Sequence, residues 1–293
     1  MSDLRSEIET AHMDELLKCE PDTPATEEPS GFGELSAAMA DRLRSLTPAR
    51  VALRRAGISQ ATAEVLDFQL AHGRARDAIH AGLQMTMLIS ELRGTELEVL
   101  ALHSAASDRA TYLQRPDLGR KLDEASRTKL RERLSEEQYD LAIVVADGLS
   151  ALAIERNVAL LLAELLPMLD TELRLAPLCI VEQARVAVGD EVAERLRADL
   201  AVVLIGERPG LSSPDSLGAY ITWHPRVGRT DAERNCISNI RAGGLSYAEA
   251  AARLLYYIRE ARRLRLTGVT LKDPELTLKD PELLLEGRLE NGA

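Results

Sequence analysis

Aromatic residues make up only 3% of this 293-residue chain, with a single tryptophan and two phenylalanines. A platform for stacking nucleic-acid bases needs more than that. Positive charge is short as well: 36 Lys and Arg stand against 47 Asp and Glu, a formal net charge of −11. That balance excludes a general nucleic-acid binder, which must neutralise phosphates with a basic face. No apolar run approaches the roughly 20 residues of a membrane span. The start, MSDLRSEIET, lacks the basic-then-apolar order of a secretory signal. Cysteines number three, Cys19, Cys179 and Cys236, with no C-x-x-C pair and no His/Cys spacing suited to zinc. They read as reduced thiols of a cytoplasmic protein. Cys179, inside the apolar PLCIV, reads as a small core residue.

Apolar residues, at 45%, suffice for a real core. They are unevenly spread. Residues 1–35 form an acidic, Pro- and Gly-containing arm; its first 30 residues hold nine acids against two bases, seven of the eleven net negative charges. Such a segment buries little. Leu4, Ile8 and Ala11 nevertheless fall at helical spacing. Residues 36–135 read as a helical region, with Thr47-Pro48 as a cap and first helical position. Within TAEVLDFQLAHGRARDAIHAGL apolar residues recur at helical spacing. His72 and His80 stand two turns apart there, and read as part of a solvated face rather than as a metal pair. Arg115-Pro116 ends any preceding helix.

Residues 136–270 change character. Three short apolar runs, LAIVV (141–145), LCIV (178–181) and LAVVLI (200–205), alternate with helical segments. Strands apolar on both faces and alternating with helices predict a parallel sheet covered by helices. LGAYITW (217–223) predicts a fourth strand. Ser246 and Glu249 form a capping box before a last helix. The expected fold is α/β: a Rossmann-like, mostly parallel sheet with flanking helices, preceded by a helical N-terminal region. In such folds ligands sit at the carboxyl ends of strands. The loops DGLS, EQARVAVGD and GERPGLSSPDS leave three such ends and are expected to cluster. The tail, 271–293, repeats LKDPEL at 271–276 and 278–283; two units are too few for a solenoid.

The densest stretch of Gly, Pro, Ser, Asp and Arg is 206–240, read as one long, functional loop region broken by the fourth strand. No phosphate-binding P-loop, G-x-G-x-x-G or G-x-S-x-G occurs. Cys236 with His224 as base, or a reactive Asp215, would make the chain a self-sufficient nucleotide-binding α/β enzyme using the strand-end loops. That alternative rests on one cysteine and one histidine.

The motifs LTPARVAL, FQLAHGRARDA, YLQRPDLGR, VVADGLSA, RVAVGD, GERPGLSSPDSLGAY and DAERNCISNIR together resemble the small subunit of ethanolamine ammonia-lyase, over residues 45 to 272. The resemblance implies a subunit of a lyase that converts ethanolamine to acetaldehyde and ammonia by an adenosylcobalamin radical route. The substrate site belongs to a separate large subunit with a barrel fold, and the small subunit helps to hold the cobalamin at their interface. Carried over motif by motif, the cobalamin contacts fall on Val186, Glu207 and Cys236. No catalytic residue and no metal ligand is assigned to this chain. Asp-x-His-x-x-Gly, by which many cobalamin proteins ligate cobalt, does not occur. The resemblance also raises an expectation that the N-terminal arm directs packaging into a bacterial microcompartment.

Overall fold

A computed structural model describes residues 37–95, 97–133 and 138–272. The acidic arm and the tail beyond residue 272 lie outside the described residues. The chain divides into two compact units, Met1–Ser59 and Gln60–Ala293.

In the first unit, helix α1 spans Ala37–Leu46. The helix expected to begin at Thr47-Pro48 does not form; the pair follows a helix instead. Proline disfavours helical geometry at the residue before it. The Thr47 hydroxyl accepts from the Ala49 amide at 3.1 Å, a local turn that competes with helix.

The second unit is α/β. Its elements are α2 (Thr62–His80), α3 (Met85–Leu92), β1 (Val99–His103), α4 (Arg109–Gln114), α5 (Glu124–Glu132), β2 (Tyr139–Ala146), α6 (Ala151–Leu165), β3 (Leu178–Glu182), α7 (Val188–Arg195), β4 (Ala198–Gly206), β5 (Leu217–Trp223), β6 (Asn235–Ile240) and α8 (Tyr247–Leu264). The six strands form one mixed sheet in the order β1-β3-β2-β4-β5-β6. β1 to β4 pair in parallel, while β5 and β6 pair antiparallel to their neighbours. Two of these six strands lie where the sequence suggested none. β1 falls inside the stretch read as helical, because Leu and Ala favour helix until pairing with β3 overrides them. β6 falls inside the long polar stretch.

Side chains alternate across the central strand. Leu141, Ile143 and Val145 face a layer with Ile154, Val158 and Leu161 of α6 and Leu254 and Ile258 of α8. Ala142, Val144 and Ala146 face a second layer with Val188 and Val192 of α7 and Leu130 of α5. Each fully buried Val, Leu or Ile contributes about 1.5–3 kcal/mol, so both layers hold the sheet. The capping box is present: the Ser246 hydroxyl accepts from the Glu249 amide and donates to its carboxylate.

Candidate functional site

The three strand-end loops do cluster. Asp147, just past β2, accepts from the amides of Gln183 at 3.0 Å and Ala184 at 2.9 Å, just past β3. The Leu149 amide donates to the carbonyl of Gly206, the last residue of β4, at 2.9 Å. The Ser150 hydroxyl donates to the Pro214 carbonyl at 2.8 Å.

β2 leads to the α6 face and β3 to the α7 face. A switch-point crevice therefore lies between their carboxyl ends. Here the chain fills that crevice itself. Arg109 approaches Asp147 at 3.5 Å and donates to the carbonyls of Gly148 and Ile79. Burial pushes the Asp147 carboxyl up to about 6, against the Ala184 amide and the Arg109 charge. Tyr112 is fully buried, donates to the Ala184 carbonyl at 3.2 Å, and has the guanidinium groups of Arg109 and Arg185 over its ring at 4.8 and 4.4 Å. The YLQRPDLGR motif thus braces the β3–α7 loop, which carries Val186.

Val186 is half-buried and packs on the α7 layer. Glu207 continues the alternation of Val203 and Ile205, whose side chains also enter that layer. Cys236 pairs with Tyr220, and Tyr220 with Val203, so Cys236 points to the same face. All three expected contacts therefore stand on one side of the sheet. On that side α5 and α7 cover the parallel strands. The helices packed on β5 and β6 are α6 and α8, both on the other side. Tyr220 is left half-buried, and Cys236 and Ser238 exposed. From β3 to β6 is four strand spacings, about 19 Å. A ligand touching Val186 and Cys236 together must be of that size, too large for a small metabolite.

Glu207 is more constrained than a free loop carboxylate. Its oxygens accept from the hydroxyls of Ser216 at 2.5 Å and Ser238 at 2.6 Å, and from the Asn239 amide at 3.2 Å. It ties the β4–β5 loop to β6, and three bonds leave part of its acceptor capacity open. Cys236 is a strand residue, where the sequence placed it in a loop. Desolvation holds its thiol above the ordinary cysteine range, the Glu207 charge adds to this, and a hydrogen bond with Tyr220 opposes it. A raised thiol is a poor nucleophile. His224 follows the far end of β5, four residues and roughly 13 Å along the strand from Tyr220, so the Cys236–His224 pair does not form. Asp215 is engaged by Arg156 at 2.9 Å. Sequence reasoning missed Tyr220, Ser238 and Asn239 around Glu207. Residues 235–238, Asn, Cys, Ile and Ser, alternate in burial only once β6 pairs with β5, so no local sequence signal marked them.

Among the described residues no helix is long and apolar enough to cross a membrane. The family model for ethanolamine ammonia-lyase light chain (EutC) matches residues 37–272. The ethanolamine ammonia-lyase small subunit of Pseudomonas aeruginosa is 59% identical over 234 residues, 79% of this chain and 86% of that protein. Its counterpart in Azotobacter vinelandii is 57% identical over 254 residues, 86% and 90% of the two chains. The one from Xanthomonas campestris is 56% identical over 235 residues, 79% and 86%. With the family model spanning most of its length, the chain belongs to the ethanolamine ammonia-lyase light-chain, or small-subunit, family.

Proposed function

We propose that this chain is the small subunit of an ethanolamine ammonia-lyase and lays the open α7 side of its sheet over adenosylcobalamin at the interface with a large subunit. The observation that carries the reading is the single face shared by Val186, Glu207 and Cys236, which no helix among the described residues covers over β5 and β6. The donor set suits a corrinoid. Glu207 keeps acceptor capacity for amide or hydroxyl groups, Val186 and Tyr220 offer apolar surface, and the face is wide enough for a ring with a nucleotide arm. The three parallel pairings with helices on both sides support a Rossmann-like reading of the sheet.

Adenosylcobalamin, when bound, supplies the radical that initiates deamination. This chain's part is to bind, orient and shield. Glu207 fixes the β4–β5 loop against β6, Tyr112 fixes the β3–α7 loop, and the open β5–β6 surface excludes water from whatever it covers. No proton transfer is assigned to it. Its setting is the cytoplasm, and in hosts that build microcompartments the arm 1–35 directs it inside. A reporter fused to residues 1–20 that stays diffuse in a shell-forming host would remove that part.

The test is co-expression with a candidate large subunit, followed by adenosylcobalamin and ethanolamine. Acetaldehyde is expected only when both chains and the cofactor are present. Full acetaldehyde production by the large subunit alone would overturn the reading.

A further inference from the structure

A pocket lies at the end of the sheet opposite the strand-end loops. It has a volume of about 960 Å³ and is bordered by Trp223, His224 and five arginines: Arg229, Arg259, Arg262, Arg263 and Arg265. Asp199, at the start of β4, also borders it; eight residues separate Asp199 from Glu207, about 26 Å of strand. The pocket is therefore independent of the proposed cofactor face. Among the described residues two carboxylates, Asp170 and Asp199, line it, a basic enclave in a chain of net charge −11.

Stabilising the end of α8 accounts for part of this. Arg262 and Arg263 lie in its last turn, where cations favour the helix dipole. It does not account for Arg229, which comes from the β5–β6 connection, nor for Arg265, which lies beyond the helix. Arg259, Arg262 and Arg263 are oriented by Asp170, Asp140 and Glu260. Arg229 is oriented by Glu233 and the Trp223 and His224 carbonyls. A guanidinium has five N–H donors, so these contacts aim the groups without using them up. The Arg265 guanidinium has no ion-pair or hydrogen-bond partner among the described residues. Its backbone is left-handed, φ 55° and ψ 40°, and His224 beside the same pocket has φ 48°. At Arg265 that conformation closes helix α8; at His224, away from any helix end, it carries strain of a kind that recurs at binding sites.

We propose that this pocket binds a small polyphosphate anion, of the pyrophosphate or nucleotide class. Guanidinium forks match phosphate oxygens in pairs. The volume is in the range of small-molecule sites. Trp223 supplies a plane on which a base can stack.

Trp223 is the only tryptophan in the chain, so its emission reports on this pocket alone. The full chain is titrated at constant ionic strength with pyrophosphate, ATP and, as a control, sulfate. A saturable, submillimolar response to pyrophosphate is expected, with sulfate far weaker. Tighter binding of ATP points to a nucleotide, and equal binding to the polyphosphate alone. Arg265→Gly removes the unpartnered cation and suits the backbone. It should raise Tm while weakening pyrophosphate binding about tenfold, the loss of one charge-assisted contact. A linear response like that of sulfate overturns the proposal, as does unchanged affinity in Arg265→Gly. So does a variant that loses the large subunit while its titration is unaltered, since the pocket would then be a protein-docking surface.

Discussion

Arg234 grips Asp190 with two parallel hydrogen bonds, 2.7 and 2.6 Å, and both side chains are 1% exposed. The pair joins the start of β6 to helix α7, and Arg234 also donates to Thr222 on β5 and to the Arg229 carbonyl. Burial pushes the Asp190 carboxyl up, and the guanidinium opposes this. The connection from β5 to β6 is thus pinned at one buried point, and Cys236 lies two residues beyond it.

Arg234→Met should therefore be severe. It leaves a buried carboxylate without its partner, a loss of about 3–5 kcal/mol. Replacing both members, Arg234→Met with Asp190→Leu, should recover much of that, because the uncompensated charge is gone. Urea unfolding of the two variants checks it; equal destabilisation by the single and the double change would show that geometry, not charge, is what the pair supplies.

How far the sequence could be read depends on where its signals were local. β2, β3 and β4 are buried on both sides, so their apolar runs stood out. The strand-end loops followed from that. β1 was hidden because Val99–His103 is rich in residues that also favour helix, and only its register with Leu178–Glu182 makes it a strand. β6 was hidden because Asn, Cys and Ser suggest turns, and its exposed half lacks the apolar partners that mark a strand. Val186, Glu207 and Cys236 were legible only through resemblance. Their shared face depends on register across five strands, which no local pattern encodes. The plugging of the switch-point crevice by Arg109 and Tyr112 likewise joins segments some 70 residues apart.

Asp147 should leave a signature in the dependence of stability on pH. Its folded value, about 6, lies above the ordinary aspartate value of about 3.9. Below the lower value both states are protonated and its contribution is complete. As pH rises towards 6 the unfolded chain ionises first, so this group's contribution falls, by about 3 kcal/mol at about 1.4 per pK unit. Glu191 has the opposite sign. Burial raises its carboxyl, but Arg127 and the Leu122 amide bring it below the ordinary value, so its contribution is lost as pH falls. Subtracting Asp147→Asn from the parent isolates the first. The difference in unfolding free energy should move in favour of the variant between about pH 4 and pH 6; a flat difference would mean that Asp147 ionises normally.

Gly148 separates steric overlap from backbone strain. Its φ is +58°, and a Cβ would meet the Gly206 carbonyl oxygen at 2.1 Å, where the loops after β2 and β4 touch. Gly228 also has positive φ, +103°, with nothing within 4 Å of an added Cβ. Gly228→Ala should cost only the backbone strain, about 1 kcal/mol. Gly148→Ala should cost several, because two backbones must part. Thermal unfolding of the pair decides; similar losses would mean that the loops yield easily and the contact is not tight.

Cys236 offers the sharper probe of the cofactor face, because its side chain is exposed and Glu207's is not free. Glu207→Ala removes a carboxylate that accepts from Ser216, Ser238 and the Asn239 amide, so it should cost about 1–3 kcal/mol of stability as well as loosening the cofactor. Cys236→Trp adds bulk to an open strand face, and surface changes of that kind stay within about 0.5 kcal/mol. Steric exclusion should nonetheless lower cobalamin retention by on the order of tenfold or more, a loss of at least about 1.4 kcal/mol of binding. The measurement is cobalamin absorbance per co-eluting complex of the two subunits, with melting recorded beside it. Reduced retention with unchanged melting in Cys236→Trp would assign the β5–β6 face to the cofactor. Full retention with both subunits co-eluting would move the cofactor away from that face and leave Glu207 as a brace between two loops.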